Sequence, residues 1–181
     1  VSGEGATYNV TGSQTEIGSG ENTFTYELTN ATKASNYEIT TVNGILTVTA
    51  LEDKVTVTIT EHSGEVKYDG SKKEVTGYDV EISNPLYKEA DFAFNGIAKV
   101  EGTDAGTYNM ELKASDFANT NKNFANVEFV IVDGTLEITK RNVTLISSTD
   151  SKVYDGTALQ NDEVVVTGDG FVSGEGATYN V

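Results

Sequence analysis

The sequence predicts an all-β (mainly β) chain of tandem small β-sandwich-like modules, with a β-grasp-like fold as the alternative, and three observations carry that expectation. Val, Thr, Ile, Tyr and Phe are frequent, while one Pro occurs in 181 residues; β-branched and aromatic residues suit pleated, half-buried strands better than helices. Short runs alternate apolar and polar residues with period two. The chain also repeats itself: VSGEGATYNV at 1–10 returns unchanged at 172–181, so it carries one full period and a ten-residue overlap.

A weaker repeat lies inside that period. NVTLISSTDSKVYDG, ending at Gly156, matches KVTVTITEHSGEVKYDG, ending at Gly70. TEIG followed by YEL (15–28) parallels TDAG followed by MEL (103–112), and VNGILTVT (42–49) aligns with VDGTLEIT (132–139). The expected frame is therefore one complete β module at 54–140 and one split module. The C-terminal part of the split module is 1–53, and its N-terminal part is 141–181. At roughly 85 residues, either module is the size of a small domain with a modest core.

Taken in order, the complete module opens with VTVTIT (55–60), whose alternation sets Val55, Val57 and Ile59 on one face. The Tyr68-Asp69-Gly70 triplet follows, as Tyr154-Asp155-Gly156 does in the split module; Asp-Gly supplies a turn with positive φ on Gly, and Tyr anchors it. Further strands are expected at 74–83, 91–95 and 106–114, with a loop and a short helical turn over 115–125. VEFVIV, Asp133-Gly134 and TLEITK then read as a hairpin, with Asn43-Gly44 at the same point of the other module. Five to seven strands per module are expected, with little helix. Lys140-Arg141 leads directly into NVTLI, and 50–54 is almost as short, so the modules should bend little against each other.

Composition narrows the function. The formal net charge is -16, and so acidic a chain repels phosphate backbones and anionic lipid; no nucleic acid and no membrane are expected as partners. No apolar run approaches the ~20 residues of a membrane helix. The chain has no cysteine, hence no disulfide framework and no thiolate metal site. It is expected to be part of a longer protein whose targeting signals lie outside this segment.

No residue pattern points to catalysis, so no enzyme activity, cofactor or metal is expected. His62, the single histidine, has no counterpart in the split module and reads as a loop residue. Asp69 and Asp155 are explained by turn chemistry. The carboxylates lack the spacing of a calcium loop. Lys54, Lys99 and Lys140 are candidates for an internal isopeptide bond, without a convincing acid partner. Tyr78 and Tyr87 are candidate exposed aromatics for ligand binding.

The KYDG (67–70) and VYDG (153–156) turns, the DAGTY segment (104–108) and the closing NG or DG followed by TLxIT resemble the MBG and YDG repeat domains. The split module departs from the pattern at TEIGSGENTF, which lacks DAGTY. The resemblance implies a β-rich repeat of bacterial cell-surface, adhesin-like proteins: extracellular, and attached to the cell wall through other parts of the protein. The expected role is a stalk or spacer projecting a distal binding domain; the alternative is a module that itself binds host glycan or protein. The expected partners are neighbouring repeat modules, with head-to-tail self-association because each half of the split module needs the other.

Overall fold

The computed structural model describes residues 2–178. It is mainly β, with three single-turn 3-10 segments as its only helical elements among the described residues. Residues 1–53 contain β1 (Ala6–Val10), β2 (Gly18–Asn22), β3 (Phe24–Leu28) and β4 (Gly44–Val48). The segment 54–140 contains β5 (Val55–Glu61), β6 (Gly64–Lys67), β7 (Lys73–Thr76), β8 (Tyr78–Ile82) and β9 (Phe92–Phe94). It continues through β10 (Lys99–Gly102), β11 (Gly106–Asn109), β12 (Phe117–Asn119), β13 (Val127–Val132) and β14 (Thr135–Thr139). After it come β15 (Val143–Ser147) and β16 (Val164–Gly168). The chain forms two compact units, one of residues 1–56, 82–93 and 118–128, the other of 57–81, 94–117 and 129–181.

In the first unit β1 pairs antiparallel with β3, and β2 with β4. Its best buried contact is edge-to-face, between Tyr87 and Phe124, with centroids 5.0 Å apart. Asn119, Asn121 and Asn123 set the loop beside it: each of the first two accepts, through its side-chain oxygen, the backbone N–H two residues on, at 2.9 Å. Those are successive Asx turns, the local bond that short amide side chains offer in place of a ladder. The loop expected over 115–125 is thus an ordered Asn stair, preceded by the 3-10 turn Ala114–Asp116 and β12.

In the second unit, β14 lies between β11, antiparallel, and β6, parallel. Leu136 and Ile138 on β14 are 1 % and 2 % exposed. A second sheet has the order β13-β5-β8, and its central strand buries Val55, Val57 and Ile59 completely, which is what their alternation requires. Phe117 stacks between Phe94 and Phe129, with centroids 4.8 and 5.6 Å away, and Tyr78 meets Phe94 and Phe117 edge-on.

One expectation fails here. Asp133-Gly134 does join β13 to β14, but these strands belong to different sheets, so the connection is a crossover between sheets and not a hairpin. A two-residue hairpin turn needs positive φ at its Gly, and Gly134 is absent from the glycines that adopt it. Gly134 is required by crowding instead: a Cβ there would stand 2.3 Å from the carbonyl oxygen of His62. Asn43-Gly44 closes no hairpin either, because residues 37–42 before it belong to no strand.

Candidate functional site

The two Tyr-Asp-Gly triplets have the same local geometry. Gly70 and Gly156 sit at φ 78° and 79°, where a side chain would be strained. Asp69 Oδ1 accepts the Ser71 N–H at 2.9 Å and the Ser71 hydroxyl at 2.6 Å; Asp155 Oδ1 accepts the Thr157 N–H at 2.9 Å and its hydroxyl at 2.8 Å. A lysine neutralises each: Lys73 Nζ lies 2.5 Å from Asp69, and Lys152 Nζ 2.9 Å from Asp155. The Lys73 bond first, then Ser71, holds Asp69 well below the usual carboxylate range; Lys152 first, then Thr157, depresses Asp155. The aspartate is thus the acceptor that closes the turn.

The tyrosines of the two triplets differ. Tyr154 is 92 % exposed. Tyr68 is half-buried and donates its hydroxyl to Glu175, which raises its pKa. Around Tyr68 the segment after residue 140 is clamped onto the complete module. Arg141, the single arginine of the chain, donates from Nε to the Gly170 carbonyl at 2.8 Å, from Nη2 to that of Asp169 and from Nη1 to that of Tyr68 at 3.4 Å. Lys67 Nζ reaches both Asp169 oxygens at 2.9 and 3.0 Å. Asp169 also accepts the Asn142 N–H at 2.9 Å; that bond, ahead of Lys67, lowers its pKa.

A second junction lies in the first unit. Ile17 N–H donates to Asn123 Oδ1 at 3.0 Å, Asn123 Nδ2 donates to Glu16, and Leu51 forms a parallel bridge with Phe124. Sequence reasoning missed this role of the Asn-rich loop, although Asn at every second position of 119–123 was its visible signal. It also missed Glu61, a carboxylate 3 % exposed. Glu61 Oε1 accepts the Leu112 N–H and Oε2 the Gly134 N–H, both at 2.7 Å.

The expected binding aromatics are corrected. Tyr87 is 1 % exposed, with its hydroxyl 2.9 Å from the Asp91 carbonyl oxygen and 3.0 Å from Asn119 Oδ1; burial pushes its pKa up to about 12. Tyr78 stands in the aromatic cluster of the second unit. Aromatic surface is found elsewhere, in a depression of about 400 Å³ lined by Tyr8, Phe24, Tyr26, Leu28, Tyr37 and Ile39 among others. His62 lies between β5 and β6, its Nδ1 2.9 Å from the Thr76 carbonyl oxygen, and this bond, then Asp79, raises its pKa. Lys54 pairs with Glu128, and Lys99 with Glu74 and Glu101. No group of three or more His, Cys, Asp or Glu side chains among the described residues could hold a metal ion, and no helix among them is long and apolar enough to cross a membrane.

In the DAGTY segment, Tyr108 donates its hydroxyl back to the Asp104 carbonyl at 2.9 Å, folding the turn on itself. Gly18 and Gly106 stand at equivalent points of the two modules: Gly18 pairs with Val48 and Gly106 with Ile138, and both ladders run toward Gly44 or Gly134. The internal repeat of the sequence is therefore a repeat of strand register. No curated protein and no solved structure matches the chain. The family model of the MBG domain matches residues 54–140. This segment, with its Tyr-Asp-Gly turn, its DAGTY turn and its closing sheet crossover, is similar to an MBG-type domain.

Proposed function

We propose that the chain is a structural repeat of a bacterial cell-surface, adhesin-like protein, a spacer that holds a distal binding domain away from the cell wall. It works by stiffness and carries no catalysis. The observation behind this reading is the Arg141 clamp, in which one guanidinium donates to the backbone of Tyr68, Asp169 and Gly170 and so ties the segment after Lys140 to the preceding module without a linker. A planar, always-charged fork suits that task because its donors are fixed relative to one another. Extracellular display follows from the family resemblance and suits an acidic, cysteine-free chain.

Residual dipolar couplings of the intact chain test the stiffness. Amides of 57–81 and 143–168 should fit one alignment tensor, and Arg141→Ala should split the fit in two. A single tensor retained in Arg141→Ala would remove the clamp, and two tensors in the unaltered chain would remove the spacer reading. The alternative, direct binding of a host glycan or protein, is favoured by the aromatic depression at Tyr8, Phe24 and Tyr26. A glycan and host-protein screen with saturable binding lost in Tyr26→Ala would select it.

A further inference from the structure

The split module repeats some strand pairs of the complete one, with β2-β4 in the place of β11-β14 and β15-β16 in the place of β5-β8, but other strands of the complete module have no counterpart among its described residues. In the complete module β14 is paired on both edges, by β11 and by the parallel β6. Its counterpart β4 carries β2 in the place of β11, and no described strand lies on its other edge. The residues standing where β6 stands, directly before a Tyr-Asp-Gly turn, are 150–153. They join no strand, and Val153 is 89 % exposed.

The second sheet has the converse gap. There β5 lies between β13 and β8. Its counterpart β15 pairs with β16 on one edge, and no described strand lies on the other. The Ser148 N–H donates to the Glu163 carbonyl just as that of His62 donates to Gly77, so β15-β16 repeats β5-β8 in register. The counterpart of β13 is Tyr-Glu-Ile-Thr-Thr-Val at 37–42, directly before Asn43-Gly44. It has the alternation and β-branched residues of a strand yet joins no ladder, and Val42 is 81 % exposed.

Each half thus holds an open sheet edge and an unladdered segment, and the partner of each segment, read from the complete module, is the open edge of the other half. We infer that a second copy of this repeat completes the split module by reciprocal strand addition. Residues 150–153 of one copy join β4 of another as a parallel strand, and residues 37–42 of that other copy join the open edge of β15. Unpaired N–H and C=O groups on an edge template such additions, and apolar side chains at alternate positions give them register. The aromatic depression is then the uncovered core of a half module: Tyr37 and Ile39, on the segment that would join β15, line it beside Tyr8, Phe24 and Tyr26. Because the contact joins two different surfaces, it propagates from copy to copy. The inference rests on the repeat of strand register and not on the spacer role, so the dipolar-coupling test and the one below can fail independently.

The β6-β14 register, Leu136 opposite Gly64 and Glu137 opposite Glu65, places Thr47 opposite Ser151 of the other copy. Both are exposed, and the chain has no cysteine of its own. The unaltered chain should show a sedimentation coefficient that rises with concentration beyond that of a dimer. Thr47→Cys with Ser151→Cys should oxidise into a ladder of covalent oligomers, whereas either single variant gives at most a dimer. Thr40→Pro, in a segment that carries no ladder here, should weaken the association at least ten-fold by removing an N–H from the added strand, with the spectrum of 54–140 unchanged. A monomer at every concentration, a disulfide closed within one chain, or undiminished association in Thr40→Pro would each overturn the inference.

Discussion

Replacing Glu61 should cost more stability than any other polar substitution in the complete module. Its carboxylate is 3 % exposed and accepts two backbone N–H groups, from Leu112 and Gly134, at 2.7 Å each. One of these follows Glu111, which at φ 65° is the one non-glycine residue with positive φ among those described. The other is the crossover between sheets. Glu61 therefore ties two backbone segments, distant from it in the chain, to the end of β5. A hydrogen bond to a charged group contributes about 1.5–3 kcal/mol, and a buried N–H left without an acceptor costs about 1–3 kcal/mol. Glu61→Ala strands both donors and opens a void, so a loss of about 3–5 kcal/mol is expected, a large part of the ~5–15 kcal/mol that holds a small domain folded. Glu61→Gln keeps the shape and one acceptor but turns an NH2 toward the second N–H, and about 2–3 kcal/mol should go. Urea unfolding gives the totals, and native-state amide exchange gives the location: Leu112 and Gly134 should lose protection in Glu61→Gln before their neighbours do. If Glu61→Gln unfolds within about 0.5 kcal/mol of the unaltered chain with both amides still protected, the carboxylate is not the lock described.

Two further outcomes follow from the turns. Gly134→Ala should destabilise by about 1–3 kcal/mol or more, because the added Cβ meets the His62 carbonyl oxygen at 2.3 Å; Gly44→Ala, whose Cβ would find only Asn22 Cβ at 3.8 Å, should be tolerated, and paired thermal melts decide between them. Asp69 and Asp155 both titrate below their ordinary value, so the stability they confer is present above about pH 4 and is lost as pH falls through their depressed values. Carboxyl chemical shifts should place both midpoints below that of a free aspartate, and Lys73→Met should move the Asp69 midpoint upward. His62 has the opposite sign: its raised pKa contributes stability that is full below about pH 6.5 and is lost as pH rises through the folded value, which an imidazole titration with and without Asp79→Asn checks.

What was legible in the sequence was whatever depends on neighbours along the chain. Val55, Val57 and Ile59 alternate, and they are buried; Asp69-Gly70 and Asp155-Gly156 are turn chemistry, and both glycines have positive φ. The closing dipeptide shows where that reasoning stops. Asp133-Gly134 has the composition of a tight hairpin, but Gly serves two purposes, positive φ and close approach, and only the fold determines which one is in use. Here the approach of His62 and Glu61, more than seventy positions away in the chain, decides it. Glu61 was illegible for the same reason: a glutamate after VTVTIT reads as the solvated end of a strand, and its two partners are fifty-one and seventy-three positions distant. Tyr87 was misread because a tyrosine in the short Pro-Leu-Tyr-Lys run at 85–88 shows no alternation that would bury it, whereas its hydroxyl is met by Asn119, thirty-two positions on.

The repeat escapes this limit, because it converts distant contacts into a comparison of like with like. Once Gly18 is set against Gly106, the ladder of β2 on β4 can be read from that of β11 on β14, although neither register is written in either strand alone. The same comparison separates two kinds of exposed apolar residue. A valine or tyrosine such as Val153 or Tyr154 is exposed at a point where the complete module pairs a strand or partly buries a side chain, and on the inference above it is there that a second copy would be added. On the strand-addition inference drawn above, the functional meaning of the chain lies less in any cleft of its own than in the difference between residues 54–140 and the two segments that flank them.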